Sequence, residues 1–243
     1  MKLMEPGLVD THCHTEFSPD SKEKVEEYLR LTDGYVVTTE HLDFYDSKAD
    51  DVLDYYTYTN KWDELNKLND GRLLKGIEIG YTRQSLNQIN KYLEDKKFDY
   101  KLLSVHQNGR YCFMNQSMKE KKPRDVVNEY MECLVDATEK FTNVDILAHI
   151  DYGFRVIEYD SFLLEEFKDK FEKVLRNIIK SNIALELNTR SMFDYGNLDV
   201  YKFILPIYKE LGGNLYTLGS DAHVKGHYRY KFDQALEFLN EYR

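Results

Sequence analysis

Histidine and carboxylate side chains recur at the ends of short apolar runs in this sequence. The first run ends in VDTHCH, where one residue separates His12 from His14, and Asp20 follows eight positions after His12. The last run ends in GSDAH, which gives Asp221 and His223 the same spacing. Imidazole and carboxylate groups bind zinc, manganese, iron and similar divalent ions. The pattern therefore predicts metal binding.

Further groups of these two kinds stand at the ends of the runs between. The full set of candidate ligands is His12, His14, Asp20, His41, Glu78, His106, His149, Asp221 and His223. A single histidine on an apolar strand is usually a core or surface residue, so no one position decides the matter. Together they are too many ligands for one ion, which favours a site with two or three metals. His227, in VKGHYRY, lies beyond the last run and is expected to be a loop residue or to support a ligand.

The runs that carry these groups are short, apolar and rich in β-branched residues, as buried strands are. Seven are found: LVDTHCH, YVVTTEH, LLKGIEIGY, YKLLSVH, VDILAHI, IALELNT and LYTLGSDAH. Helical periodicity lies between them, near residues 22–31, 53–68, 85–95, 124–139, 161–181, 198–211 and 231–240. This alternation predicts a parallel sheet, either a doubly wound layer or a closed α/β barrel. Both architectures gather functional groups at the carboxyl ends of the strands.

The first and last strands would be neighbours in a closed barrel. Because side chains alternate across a strand, His12 and His14 share one face and Cys13 points to the other. The two histidines would then meet Asp221 and His223 on the adjacent strand. Cys13 is therefore predicted not to be a ligand.

The three cysteines are Cys13, Cys112 and Cys133, and no two of them form a Cys-x-x-Cys pair. An odd number of widely spaced cysteines predicts neither a disulfide framework nor a thiolate zinc site. We expect all three to be reduced, structural thiols.

Composition predicts one globular domain spanning residues 1–243, since the chain is 42% hydrophobic and 31% charged and has no repeat or linker. A formal net charge of -10 weighs against nucleic acid or an anionic membrane as the main partner. The amino-terminal residues lack a signal-peptide pattern, and no segment is long and apolar enough to span a bilayer. These features predict a cytoplasmic protein.

The ordered motifs resemble those of the PHP (polymerase and histidinol phosphatase) family, and in particular its stand-alone histidinol phosphatases. The matching segments are His12-x-His14 with Asp20 in HTEFSPDS, Thr39-Glu40-His41, Gly76-Ile77-Glu78, Ser104-Val105-His106, His149-Ile150-Asp151-Tyr152 and Gly219-Ser220-Asp221-Ala222-His223. The resemblance implies a distorted (β/α)7 barrel, similar to a TIM barrel, with a trinuclear metal centre. It also assigns the ligands. The first metal would take His12, His14, Glu78 and Asp221, the second Glu78 as a bridge with His106 and His149, and the third Asp20, His41 and His223.

The resemblance further implies a small-molecule phosphomonoester substrate, L-histidinol phosphate, cleaved to L-histidinol and phosphate in histidine biosynthesis. Metal ions lower the pKa of bound water, so a hydroxide bridging two of them could attack phosphorus near neutral pH. Glu78, Asp221 and His223 are the candidate catalytic residues because they would hold these metals.

Two arginines could bind the phosphate. Arg155 in HIDYGFR and Arg190 in ELNTRS follow the fifth and sixth predicted strands, where a guanidinium could hold phosphate oxygens bidentately. Arg155 matches the family's arginine after the fifth strand. Arg190 lies a few residues before the position that related enzymes commonly use, and a surface ion pair is its alternative interpretation.

Three other functions are compatible with the same residues. A PHP phosphoesterase could act on a nucleotide or on a nucleic-acid end with the same metals. An amidohydrolase barrel also begins with His-x-His and ends with an aspartate, although it usually lacks a bridging glutamate such as Glu78. A non-catalytic barrel could keep the metals for stability alone.

Overall fold

The computed structural model describes residues 5–45 and 51–242 of the chain. Its strands form one sheet in the order β2-β1-β3-β4-β5-β6-β7. They are β1 (Val36–Asp43), β2 (Asp51–Val52), β3 (Leu73–Gly80), β4 (Tyr100–Ser104), β5 (Ile146–Leu147), β6 (Ala184–Asn188) and β7 (Tyr216–Gly219). All neighbouring strands are parallel except β2, which pairs antiparallel with the end of β1. The predicted single α/β domain, with the architecture of a TIM-like barrel, is confirmed.

The helices lie between the strands, as the periodicity predicts. They are α1 (Val25–Leu29), α2 (Tyr55–Leu68), α3 (Leu86–Leu93), α4 (Pro123–Lys140), α5 (Ser161–Glu166), α6 (Lys168–Lys180), α7 (Thr189–Phe193), α8 (Leu198–Glu210) and α9 (Phe232–Asn240). The prediction of one helix over 161–181 is wrong, because Phe167 (φ -99°, ψ 10°) separates α5 from α6. None of the helices in the described part of the chain combines the length and the apolar character needed to cross a membrane.

Strand side chains pack into two separate apolar clusters. The larger cluster joins strand residues such as Leu103 to helix residues such as Trp62 and Phe171. The smaller cluster contains no helix residue and consists of Val9, Val37, Tyr100, Leu102, Ile146, Ala148 and Ala184. Leu102 and Leu103 are adjacent in β4 but belong to different clusters, because successive side chains point to opposite faces. The face without helices is the inner face of the barrel.

The inner face changes from apolar to polar toward the carboxyl ends of the strands. On β1, Val37 is followed on the same face by His41 and Asp43. On β6, Ala184 is followed by Glu186, and both side chains are buried. A small apolar layer therefore supports a layer of ionisable groups, at the end of the sheet where α/β proteins place their sites.

The first predicted strand, residues 8–14, is not a regular strand. Its backbone still reaches both β7 and β1, since Thr11 N donates to Leu218 O (3.1 Å) and Thr39 N donates to Cys13 O (2.6 Å). The segment does not form a complete set of backbone hydrogen bonds with β7 and β1, because the backbone N–H of His12 donates to the carboxylate of Asp10 instead (3.2 Å). The segment nevertheless links β7 to β1, in the place of a barrel's first strand.

Candidate metal centre

The candidate ligands converge on the carboxylate of Glu78, which is 1% exposed at the carboxyl end of β3. Its Oε1 lies 2.7 Å from His149 Nε2 and 3.1 Å from His106 Nε2. Its Oε2 lies 3.0 Å from His41 Nδ1 and 3.5 Å from His14 Nε2. One carboxylate thus contacts residues from the first segment, β1 and the loops after β4 and β5.

Asp221, in the loop after β7, approaches the two histidines of the first segment. Its Oδ1 lies 3.4 Å from His14 Nε2 and 3.8 Å from His12 Nε2. The backbone of Asp221 has φ +54°, in the left-handed region that residues other than glycine adopt uncommonly. Conformations of this kind cost energy and cluster at functional sites, where the surrounding structure holds them in place.

A third group lies closer to solvent. Asp20 Oδ2 is 3.0 Å from His223 Nε2 and 3.4 Å from His41 Nε2, and the Asp20 side chain is 53% exposed. Partial burial raises the pKa of Asp20, but hydrogen bonds from His223 and His41 outweigh it and hold this pKa well below its usual range. The carboxylate is therefore available as an anionic ligand.

Several buried atoms of this cluster have no hydrogen-bond partner among the described residues, namely His12 Nε2, His14 Nε2 and Glu78 Oε2. Burying polar atoms without partners is costly. Two ligand atoms bound about 2.1 Å from one tetrahedral ion lie roughly 3.4 Å apart, close to the 3.4 and 3.5 Å that separate His14 Nε2 from Asp221 Oδ1 and Glu78 Oε2. The donor set therefore fits divalent metal ions.

Within residues 5–45 and 51–242, four trios of residues place one ligand atom each within 4.8 Å of one another. They are His12, His14 and Asp221; His12, Glu78 and His149; His14, His41 and His223; and His41, Asp43 and His106. The first three overlap the three metal positions that the family resemblance implies. The fourth contains Asp43, which the sequence did not single out.

Charges within the cluster perturb its carboxylates and histidines strongly. Burial raises the pKa of Glu78, but His106 and His12 outweigh it and hold this pKa well below its usual range. Burial lowers the pKa of His12, but Glu186 and Glu78 raise it well above normal. Burial, together with neighbouring His223 and His41, lowers the pKa of His14. Glu78 is therefore an anion at neutral pH, as a metal ligand must be.

Both predicted arginines border this cluster. Arg155 Nη2 donates to Asp221 Oδ2 (3.1 Å), and its Nε donates to Ser191 Oγ (2.8 Å). Arg190 Nη1 donates to the backbone oxygen of Asp221 (2.8 Å) and lies 3.2 Å from His223 Nδ1. The Arg190 side chain is only 18% exposed and lies 3.9 Å from Asp194. Its surroundings are thus mainly those of the site, although a weak surface pair is also present.

A cavity of about 440 Å³ opens over the cluster. Glu78, Asp221 and both arginines line it, and its wall includes the aromatic side chains Tyr45, Tyr152 and Tyr195. This volume lies within the range of small-molecule sites. The cavity therefore gives a small ligand simultaneous access to the ionisable groups and to the guanidinium groups.

Comparison with known proteins identifies the family. The PHP domain profile matches residues 10–190 of the chain. The chain belongs to the PHP domain family. This PHP protein is 34% identical over 241 residues to the probable histidinol-phosphatase of Clostridium acetobutylicum, covering 95% of this chain and 92% of the relative. It is 30% identical over 233 residues to the histidinol-phosphatase of Lactococcus lactis, covering 89% and 84% of the two chains.

Solved structures show the same PHP architecture. The histidinol phosphate phosphatase of Lactococcus lactis, complexed with zinc, L-histidinol and phosphate, aligns with a TM-score of 0.88 at 25% identity, covering 98% of this chain and 94% of that one. A chain of an archaeal ribonuclease P solved with mature tRNA aligns with a TM-score of 0.55 at 14% identity, covering 96% and 82%. The second likeness concerns the fold alone.

All nine predicted ligands of this PHP domain lie in the one cluster. Cys13 does not, since its buried Sγ contacts Ser220 Oγ at 3.9 Å, and all three cysteines are free thiols. His227 ends a short 3-10 helix (Lys225–His227) and lines the cavity. Its predicted supporting or loop role remains a prediction.

Two buried carboxylates of the site, Asp43 and Glu186, were not predicted from the sequence. Asp43 touches His106 and Glu186 touches His12, and both are nearly inaccessible. Each lies within an apolar strand run, in EHLDF and IALELN. Because a buried charge requires a partner, an acidic residue in such a run could have indicated a buried polar site.

Proposed function

We propose that this chain is a metal-dependent phosphatase that hydrolyses L-histidinol phosphate to L-histidinol and phosphate. The observation that carries the proposal is the convergence of buried histidine and carboxylate atoms, several without a hydrogen-bond partner among the described residues, beneath a cavity that two arginines also line. The similarity to histidinol-phosphatases, one solved with zinc, L-histidinol and phosphate, supports the choice of substrate. We further propose that residues 1–243 form one catalytic domain, acting on this small molecule in the cytoplasm.

Three metal positions are proposed, to be filled by zinc, manganese or iron. The ligands would be His12, His14, Glu78 and Asp221 at the first, Glu78, His106 and His149 at the second, and Asp20, His41 and His223 at the third. Divalent ions there would lower the pKa of a coordinated water and withdraw negative charge from the phosphoryl group.

The chain's own catalytic contribution begins with Glu78 and Asp221. The two oxygens of Glu78 face different histidines, so this carboxylate would serve two metal positions at once. Asp221 faces His14 with one oxygen and Arg155 with the other. It would therefore fix the spacing between a metal position and the guanidinium that holds the phosphate. His223, between Asp20 and Arg190, would do the same at the third position.

Phosphate binding is assigned to Arg155 and Arg190. Within the described residues, Arg155 donates from Nε and Nη2, and Nη1 remains for a ligand oxygen. Arg190 approaches from the side of His223 and Asp20. Two guanidinium groups on the same cavity wall suit a dianionic phosphomonoester, because planar donors pair well with phosphate oxygens.

A substrate panel tests the proposal. Phosphate release from L-histidinol phosphate would be compared with release from a nucleoside monophosphate, p-nitrophenyl phosphate and a short 5′-phosphorylated oligonucleotide, using protein whose metal content has been measured. We expect strong preference for L-histidinol phosphate and at least two metals per chain. Comparable rates on unrelated monoesters would contradict the substrate assignment, and preference for the oligonucleotide would favour the nucleic-acid alternative.

A further inference from the structure

Two buried carboxylates lie directly behind candidate metal ligands. Both oxygens of Asp43 are 3.1 Å from His106 Nδ1, and Glu186 Oε1 is 2.8 Å from His12 Nδ1. The opposite ring nitrogens face Glu78 Oε1, with His106 Nε2 at 3.1 Å and His12 Nε2 at 3.4 Å. Each imidazole is thus held between one carboxylate at Nδ1 and the Glu78 carboxylate at Nε2.

We propose that Asp43 and Glu186 are positioning residues that present the Nε2 lone pairs of His106 and His12 to metal ions. The reason is the proton count of the ring. A neutral imidazole carries one N–H, and a carboxylate can only accept, so it keeps that proton on Nδ1 and leaves Nε2 free to bind a cation. The inference rests on the proposed function, since it requires metals at the cluster.

The neighbouring strands leave space for both carboxylates by ending in glycine. A Cβ at Gly80, which pairs in register with Asp43, would lie 1.8 Å from Asp43 Oδ1. A Cβ at Gly219 would lie 2.0 Å from Glu186 Oε1. Neither glycine has a positive φ, so backbone conformation does not require it. At both positions the carboxylate of the adjacent strand occupies the volume that a side chain would fill.

Within the described parts of the chain, Glu186 has a second set of hydrogen-bond partners that Asp43 lacks. Its Oε2 accepts from the backbone N–H of His149 (2.8 Å) and from Asn188 Nδ2 (3.1 Å). Asn188 Oδ1 in turn lies 3.4 Å from Arg155 Nη2. Both oxygens of Glu186 must therefore accept hydrogen bonds, whereas among the described residues the hydrogen-bonding partner of the Asp43 side chain is the His106 ring.

This difference gives a sharp test with near-isosteric variants. In Glu186→Gln the amide can accept on one side only, so its NH₂ must face either His12 Nδ1 or the His149 N–H. In Asp43→Asn the amide oxygen can still accept from His106. We expect zinc affinity, measured by competition with a chromophoric chelator, to fall about 10- to 100-fold for Glu186→Gln and to stay near wild type for Asp43→Asn. A role for negative charge alone would weaken both equally and would overturn the proposal.

Substitutions at Gly80 and Gly219 provide a second test of the same proposal. Gly80→Ala and Gly219→Ala should displace the carboxylates and weaken zinc binding while circular dichroism stays unchanged. Gly226→Ala is the matched control, because a Cβ there meets nothing within 4 Å. Wild-type zinc affinity in folded Glu186→Gln, Gly80→Ala and Gly219→Ala would reject the positioning role. Absence of zinc binding by the wild-type chain would instead reject the proposed metal centre, so the two failures are distinguishable.

Discussion

Arg155 is held in one orientation by its protein contacts. Its side chain is 4% exposed and pairs with Asp221, and its Nε donates to Ser191 Oγ. The guanidinium carbon lies 4.8 Å from the ring centre of Tyr152 and 4.7 Å from that of Tyr195. A planar fork fixed in this way loses little freedom when it binds a phosphate oxygen.

Arg155→Lys should therefore weaken phosphate binding, even though lysine keeps the positive charge of the arginine. One ammonium cannot reach Ser191, Asp221 and a phosphate oxygen together, and a lost charge-assisted hydrogen bond costs about 1.5–3 kcal/mol. We expect kcat/KM to fall roughly 10- to 100-fold and the inhibition constant of inorganic phosphate to rise. Arg124→Lys, at an exposed pair with Glu166, is the control and should change neither value. An unchanged phosphate inhibition constant in Arg155→Lys would remove Arg155 from the phosphate site.

The sequence alone was enough to propose the candidate ligand residues, but not the two carboxylates that contact them, Asp43 and Glu186. His-x-His and Asp-x-His are visible because their spacing matches strand alternation. Asp43 and Glu186 carry no such spacing, and they matter only because adjacent strands bring them to His106 and His12. Sequence periodicity shows which face a residue occupies, but it does not show which residue of another strand it meets.

The first segment, residues 8–14, is held in place partly by side-chain hydrogen bonds of Asp10. Asp10 is fully buried, and its Oδ1 accepts from the N–H groups of His12 (3.2 Å) and Ser220 (2.9 Å). Its Oδ2 accepts from the N–H of Arg229 (2.8 Å). A single carboxylate thus joins the first segment, the loop after β7 and the carboxyl-terminal region.

Asp10→Ala would leave three backbone N–H groups without this acceptor. The N–H groups of His12 and Ser220 are buried, and that of Arg229 is partly buried. Each buried, unsatisfied donor costs about 1–3 kcal/mol, so we expect the free energy of unfolding in urea to fall by at least about 2 kcal/mol. Asp54→Ala is a suitable comparison, because Asp54 caps α2 at the surface by accepting from Thr57 N. Losing such a cap typically costs about 1 kcal/mol. If Asp10→Ala loses no more stability than Asp54→Ala, Asp10 does not hold this junction together.

The order of most strands and helices was predictable because the longer elements repeat a strong period. The two-residue β2, the short α7 and the interruptions of longer elements were not predicted. Apolar residues continue at helical spacing through Leu163, Phe167 and Phe171, so a break of one residue at Phe167 leaves no gap in the pattern. Residues 8–14 read as a strand because they form a short apolar run like those of the other predicted strands. In this segment, hydrogen bonds to the Asp10 carboxylate replace part of the backbone hydrogen bonding of a strand. Two of the donors, Ser220 and Arg229, lie more than 200 positions away in the sequence.

For the molecule as a whole, fold and substrate are separate questions. The same architecture aligns with a histidinol phosphate phosphatase and, at 14% identity, with a chain of a ribonuclease P structure. A shared fold does not determine the substrate, which depends on the site. The net charge of -10 disfavours binding along a nucleic-acid backbone, which is itself negatively charged. Arg155 and Arg190 line one cavity, where they can attract a small anionic substrate. The oligonucleotide arm of the substrate panel checks this prediction.

If the proposed metal centre forms, metal binding should also raise the stability of the whole chain, because the native cluster would bind ions more tightly than the unfolded chain. At a free zinc concentration of 100 times the dissociation constant, one site adds about 2.7 kcal/mol, less any binding to histidines and cysteines of the unfolded chain. For a chain of this size that corresponds to roughly 5–10 °C in Tm. Chelator-treated protein should therefore melt at a lower temperature by calorimetry, and added zinc should restore the original Tm.

His14→Ala separates this effect from nonspecific stabilisation. His14 Nε2 faces both Glu78 and Asp221, so its loss should remove most of the zinc-dependent rise while the chelator-treated proteins differ much less. Lys202→Ala, at an exposed pair with Asp199, should respond to zinc as wild type does. An equal rise in His14→Ala and wild type would mean that zinc acts elsewhere on the chain, because removing one ligand of a four-ligand position must weaken binding there.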